Sequence, residues 1–116
     1  MSSVSTSNLF GASTGAAAAL AAATKVPGEV AAIVSRGGRP DLAPRSLPSV
    51  KAPTLLIVGE HDVEVLQLNE GALAQLNCEK SIEIVPGATH LFEEQDALGQ
   101  VARLAAAWFK RYLQPR

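Results

Sequence analysis

The sequence is poor in the features that define several large classes of protein. It has one cysteine among 116 residues. Cys78 therefore has no thiol within the chain for a disulfide or a shared metal cluster, and a reducing cytoplasm is the expected compartment. An excess of one charge is also missing. Ten Lys and Arg nearly balance eleven Asp and Glu, for a net charge of −1, and no long run of either sign occurs. A nucleic-acid or anionic-membrane partner is not expected on such a balance. No apolar run is long and strong enough to span a bilayer, because the alanine tract 16–23 is short and weakly hydrophobic. No Lys or Arg precedes that tract. A secretory leader or mitochondrial presequence would carry such charges. The spacing of Gly11 and Gly15 matches neither G-K-[ST] nor G-x-G-x-x-G. No phosphate cradle, organic cofactor or metal is expected.

What is present is a hydrophobic content of 47%, which suits a globular chain. The length is enough for one modest domain with one core, expected to run over residues 1–116. The most informative stretch is Gly11-Ala12-Ser13-Thr14-Gly15, a G-x-S-x-G pentapeptide. It stands where a short strand-like segment, residues 4–10, gives way to an alanine-rich helix pattern. A serine on a tight strand-to-helix turn is forced into a strained backbone conformation, and its hydroxyl projects clear of the sheet. Both flanking glycines are expected to be needed, because a side chain there would meet the neighbouring strand and helix. The helix N-terminus behind the serine offers free N–H groups to a developing oxyanion.

The rest of the chain alternates. Alanine propensity predicts a helix over residues 14–24, ended by Pro27-Gly28. Short apolar runs predict buried strands over 30–35 and 54–58. Between them, residues 36–50 form a loop rich in breakers: Gly37-Gly38, Pro40, Pro44 and Pro48. Residues 66–76 read as an amphipathic helix with Leu66, Leu73 and Leu76 on its apolar face. Residues 81–85 alternate as a strand with one side in solvent. Residues 97–113 form the strongest helix, with Val101, Leu104, Ala105, Trp108, Phe109 and Tyr112 at helical spacing. The predicted class is α/β: a parallel sheet of about four strands with flanking helices.

In open parallel sheets, ligands bind beyond the carboxyl ends of the strands. Ser13 follows the first strand, Asp62 the third in Gly59-Glu60-His61-Asp62, and His90 the fourth in Gly87-Ala88-Thr89-His90. All three are thus expected at one edge, in the chain order Ser…Asp…His that belongs to hydrolases of this sheet type. Ser13 would attack an acyl carbonyl, His90 would take its proton, and Asp62 would hold the imidazole tautomer. The N–H of Thr14 would be one oxyanion donor. Arg36 and Arg39, in the loop bordering the pocket, could favour an acidic substrate.

The segments L-F-G-A-S-T-G-A-A-A-A-L, P-T-L-L-I-V-G-E-H-D and P-G-A-T-H-L-F-E-E, in that order, resemble the C-terminal half of an α/β-hydrolase of the dienelactone hydrolase-like group. The resemblance extends from Leu9 to Trp108. It implies hydrolysis of small esters or thioesters with Ser13, Asp62 and His90 as the triad. Dienelactone hydrolases proper use a cysteine nucleophile, so the serine points to an esterase-like relative. A full member of this fold has further strands before the serine turn, including the loop that supplies the second oxyanion donor. Without them, the strand over 4–10 would be an open edge. The chain is therefore expected to associate with itself or with a complementing half.

Each chosen residue also has a plainer reading. Ser13 could lie in a structural glycine turn, Asp62 could cap the following helix, and His90 could be a solvated loop residue. A rival class of function is a non-catalytic half-domain that needs a partner chain to complete its sheet. Asp41 is the weaker candidate acid and His61 the weaker candidate base. Cys78 reads as a small apolar filler. Glu93, Glu94 and Asp96 read as charges complementing the dipole of the last helix. Trp108 and Phe109 read as core anchors.

Overall fold

The computed structural model describes residues 7–112. Four strands, β1 (Ser7–Ala12), β2 (Val30–Arg36), β3 (Thr54–Gly59) and β4 (Lys80–Val85), form one sheet in the order β1-β2-β3-β4. Every neighbouring pair is parallel. Three helices accompany them: α1 (Gly15–Lys25), α2 (Val63–Gln75) and α3 (Ala97–Tyr112). The α/β class expected from the alternation is the one observed.

The strand order explains the layering. Each strand lies beside its predecessor in the same direction, and crossovers between parallel strands keep one hand. All three connections therefore fall on one face. There, α1 and α2 pack Leu20, Ala23, Ala72 and Leu76 against Ile33 of the sheet, with Leu47 and Val50 of the β2–β3 loop. The other face is left to α3, whose Ala97, Val101, Ala105 and Trp108 cover Ala32, Val34, Leu55, Ile57 and Val85. The interior strand β3, clad on both faces, is buried at all six residues. That is why its sequence is a continuous apolar run.

Several elements depart from their expected form. β1 runs two residues beyond Phe10, because Gly11 and Ala12 still pair in register with Ser35 and Arg36. Residues 4–6 of that expected strand, and Leu113 of the last helix, lie outside the described residues. Helix α2 begins three residues earlier than expected, and its buried positions are Asn69 and Ala72, with Leu76 just beyond its end. Leu66 and Leu73 are only half-buried. The reason is a polar anchor: Asn69 Nδ2 donates to the Gly38 carbonyl at 3.0 Å and to Val65 O at 2.8 Å. Helix α3 has its expected face, and Trp108 Nε1 also donates to the Pro53 carbonyl at 3.2 Å.

β1 and β4 are the sheet's edges. β4 exposes Lys80, Glu83 and Ile84. Beside β1, Phe10 and Leu98 are about half exposed, and with Arg36, Val101 and Ala102 they line a shallow apolar depression of about 350 Å³. Among the described residues, no helix is long and apolar enough to cross a membrane.

Candidate active site

Parallel strands place all their carboxyl ends at one rim, and the loops carrying Ser13, Gly37, Asp62 and His90 all leave from there. The turn after β1 holds Ser13 at φ 54°, in the left-handed region that side chains other than glycine rarely occupy. Main-chain hydrogen bonds keep it there. Ser13 N–H donates to Arg36 O at 3.4 Å, and Arg39 N–H and Ala16 N–H donate to Ser13 O at 2.9 and 3.2 Å. A Cβ on Gly11 would lie 2.7 Å from Ala16 Cα, so glycine is required where α1 crosses back over the strand. Gly15 differs from expectation: a Cβ there meets nothing within 4 Å. The Ser13 side chain is exposed, and Thr14 is the N-cap of α1. The first N–H groups of a helix have no partner within it.

Asp62 occupies the N-cap of α2 but makes no capping hydrogen bond with its side chain. Its Oδ2 instead lies 2.7 Å from His90 Nδ1. The carboxylate is largely buried and the imidazole is 40% exposed, which leaves one side of the ring open to a reactant. A carboxylate at Nδ1 holds the proton there and leaves Nε2 as the basic nitrogen.

Gly37 and Gly38 link the two halves of the rim. The loop residues just before and just after this pair hold the Ser13 main chain. Gly37, at φ +52°, lies under the imidazole: a Cβ there would be 3.5 Å from His90 Cε1 and 3.2 Å from the Phe92 ring. Ser13 and His90 therefore flank the same two glycines. No hydrogen bond joins the Ser13 hydroxyl to His90 among the described residues.

The other expected residues are placed as follows. Arg39 is held by Asp41 in a two-point contact, Nε to Oδ1 at 3.0 Å and Nη2 to Oδ2 at 2.9 Å. That hydrogen bonding pulls the Asp41 carboxyl below its ordinary range. Arg36 has no carboxylate partner among the described residues; its guanidinium carbon lies 5.6 Å from the Phe92 ring centroid, and its buried Nε makes no hydrogen bond. His61 is exposed, with Nε2 4.0 Å from Glu60 Oε1 and outside the Asp62–His90 pair. Cys78 is half-buried against the α1–α2 face of the core.

Two of the acids before α3 make contacts beyond the expected helix-end role. Asp96 pairs with Arg103 at 2.9 Å. Glu94 turns back to Thr89, whose hydroxyl, donating at 2.7 Å, is the main cause holding the Glu94 carboxyl below its ordinary range. Nothing in spacing alone distinguished these contacts from simple helix-end charges, and the same holds for Asn69 and Glu60. Among the described residues, no three His, Cys, Asp or Glu side chains gather as a metal site would require.

Known proteins resemble this chain to differing degrees. The chain is 60% identical to a dienelactone hydrolase from Anabaena variabilis, with a TM-score of 0.91 over 92% of this chain and 50% of that one. An esterase domain from Rhodothermus marinus shares the fold at 21% identity and a TM-score of 0.82, over 92% of this chain and 62% of that one. A Mycobacterium tuberculosis protein, provisionally named a phosphoribosyl transferase, is 60% identical over 104 residues, 90% of this chain but 24% of that protein. The chain thus spans about a quarter of these curated relatives and half of the Anabaena structure. The sequence pattern of the dienelactone hydrolase family matches residues 2–114, and the chain belongs to that family.

Proposed function

We propose that this chain carries the nucleophile, base and acid of a serine hydrolase acting on carboxylic esters or thioesters of small acyl groups. Ser13 Oγ attacks the acyl carbon as His90 Nε2 takes its proton. The C–O or C–S bond then breaks, and the protonated His90 returns the proton to the departing alcohol or thiol. Water, deprotonated by the same nitrogen, attacks the acyl-enzyme and restores Ser13. Asp62 keeps the ring in the required tautomer, and the Thr14 N–H faces the developing oxyanion. One observation carries the reading: the Asp62–His90 contact is made beside Gly37, in the loop whose Arg36 and Arg39 main chains hold the strained Ser13 turn. No cofactor enters the scheme, and the compartment we assign is the cytoplasm.

Within this reading, a preference for acidic substrates rests on Arg36, since the Arg39 charge is already met by Asp41. Unchanged preference between neutral and anionic esters in Arg36→Ala would remove that part. We place the transferase activity named for the mycobacterial relatives outside the 24% that aligns with this chain, because the Gly11–Gly15 spacing has no phosphate-cradling pattern.

A second reading has support of its own. β1 has a neighbour on one side only, the apolar depression beside it is open, and Ser13 makes no hydrogen bond to His90 among the described residues. On that reading the chain is a non-catalytic half-domain, completed by a second copy or a complementing chain. A fluorophosphonate probe separates the two. Labelling that Ser13→Ala abolishes supports the hydrolase. A folded sample that neither labels nor turns over a p-nitrophenyl ester supports the half-domain. Sedimentation as a compact monomer at micromolar concentration would remove the need for a partner.

A further inference from the structure

We propose that Glu94 is a positioning residue for His90, an inference that rests on the hydrolase reading for its catalytic consequence. The imidazole is carried by a loop, not by a strand or helix, and must still meet Asp62 at 2.7 Å. Anchors on both sides of His90 hold that loop. Upstream, Gly87 N–H donates to Glu60 Oε1 at 2.8 Å, and the Ala88 carbonyl accepts the His61 N–H at 2.9 Å. These bonds tie the histidine loop to the loop that bears Asp62. Downstream, the buried Phe92 donates its N–H to Thr89 O at 3.1 Å.

Glu94 closes the remaining gap. Its Oε1 accepts the Thr89 N–H at 3.1 Å and its Oε2 accepts the Thr89 hydroxyl. Both donors of the residue immediately before His90 are thereby fixed by one carboxylate. A two-point grip sets the peptide plane and the side-chain rotamer together. The Glu94 main chain, by contrast, accepts the Ala97 N–H at 3.0 Å, so the start of α3 is served by the backbone while the carboxylate bonds Thr89. Both Thr89 contacts are exposed to solvent. Their loss should therefore disturb the placement of the imidazole more than the stability of the fold.

The experiment uses the full chain and two readouts. Proton NMR follows the low-field Nδ1–H signal expected of the Asp62–His90 contact, and fluorophosphonate labelling follows the reactivity of Ser13. Glu94→Ala should broaden or abolish the low-field signal and slow labelling by at least about tenfold. Glu94→Gln, which keeps an acceptor for Thr89, should recover most of both. Wild-type signal and labelling in Glu94→Ala would overturn the proposal, as would equal losses in the Ala and Gln variants. Should Glu94→Ala not fold, Thr89→Val removes the hydroxyl donor alone, and a wild-type signal there would also overturn it. If the wild-type chain does not label but the signal still depends on Glu94, the positioning stands and the hydrolase reading fails.

Discussion

The Asp62 carboxylate reaches across 28 residues of sequence to His90 Nδ1, leaving α2 without a side-chain cap. A cap is worth about 1 kcal/mol, so the contact replaces a local stabilisation with a distant one. Asp62→Asn keeps the shape but favours the wrong tautomer at Nδ1. Labelling of Ser13 by a fluorophosphonate should fall about 10²–10⁴-fold with the melting temperature little changed. Wild-type labelling in a folded Asn variant would show that the pair has no part in activating the serine.

Gly37 should not tolerate a side chain. Its φ of +52° is strained for any L-residue, and a Cβ would press on the Phe92 ring at 3.2 Å and approach His90 Cε1 at 3.5 Å. Gly37→Ala should cost about 1–2 kcal/mol from the backbone alone. Urea denaturation measures that cost, and an unchanged midpoint would contradict this account of the loop.

The two glycines of the serine turn should behave oppositely. Gly11→Ala drives a methyl into main-chain Ala16 and should destabilise by about 1–3 kcal/mol. Gly15 lies in the first turn of α1 with open space around it, so Gly15→Ala should be neutral or stabilise by up to about 1 kcal/mol. Thermal melts of both variants check the contrast.

The Arg39–Asp41 pair should leave a mark on acid stability. Arg39 holds the Asp41 carboxyl below its ordinary range, so the folded state favours the ionised form. That contribution is present in full at neutral pH. It fades as pH falls from the ordinary carboxylate range, near about 4, through the lower folded-state value. The stability difference between wild type and Asp41→Asn should therefore shrink on acidification in urea titrations. A difference that persists at low pH would assign it to packing and not to charge.

The parts of this protein that could be read from sequence are those written locally. The apolar runs of β2 and β3, the breakers between them and the spacing of α3 each declare an element within a few residues. The shared rim of Ser13, Asp62 and His90 could be read because each follows a strand, and a parallel sheet aligns such positions. What stayed hidden depends on distance. Asn69 looks like an ordinary polar helix residue until Gly38 is brought beside it from 31 positions away. Glu94 looks like a helix-end charge until the loop folds back on it. Gly15 misled for the opposite reason: its place in the motif suggested crowding, and only the path of α1 shows that space to be open.

The left-handed backbone at Ser13 has a consequence for the chain's durability. Glycine would occupy that conformation without steric strain, whereas serine gives up about 1–2 kcal/mol, more than the extra backbone entropy that glycine loses on folding. Ser13→Gly should thus melt higher than wild type while losing its hydroxyl. A chain shaped for robustness alone would hold glycine at that turn.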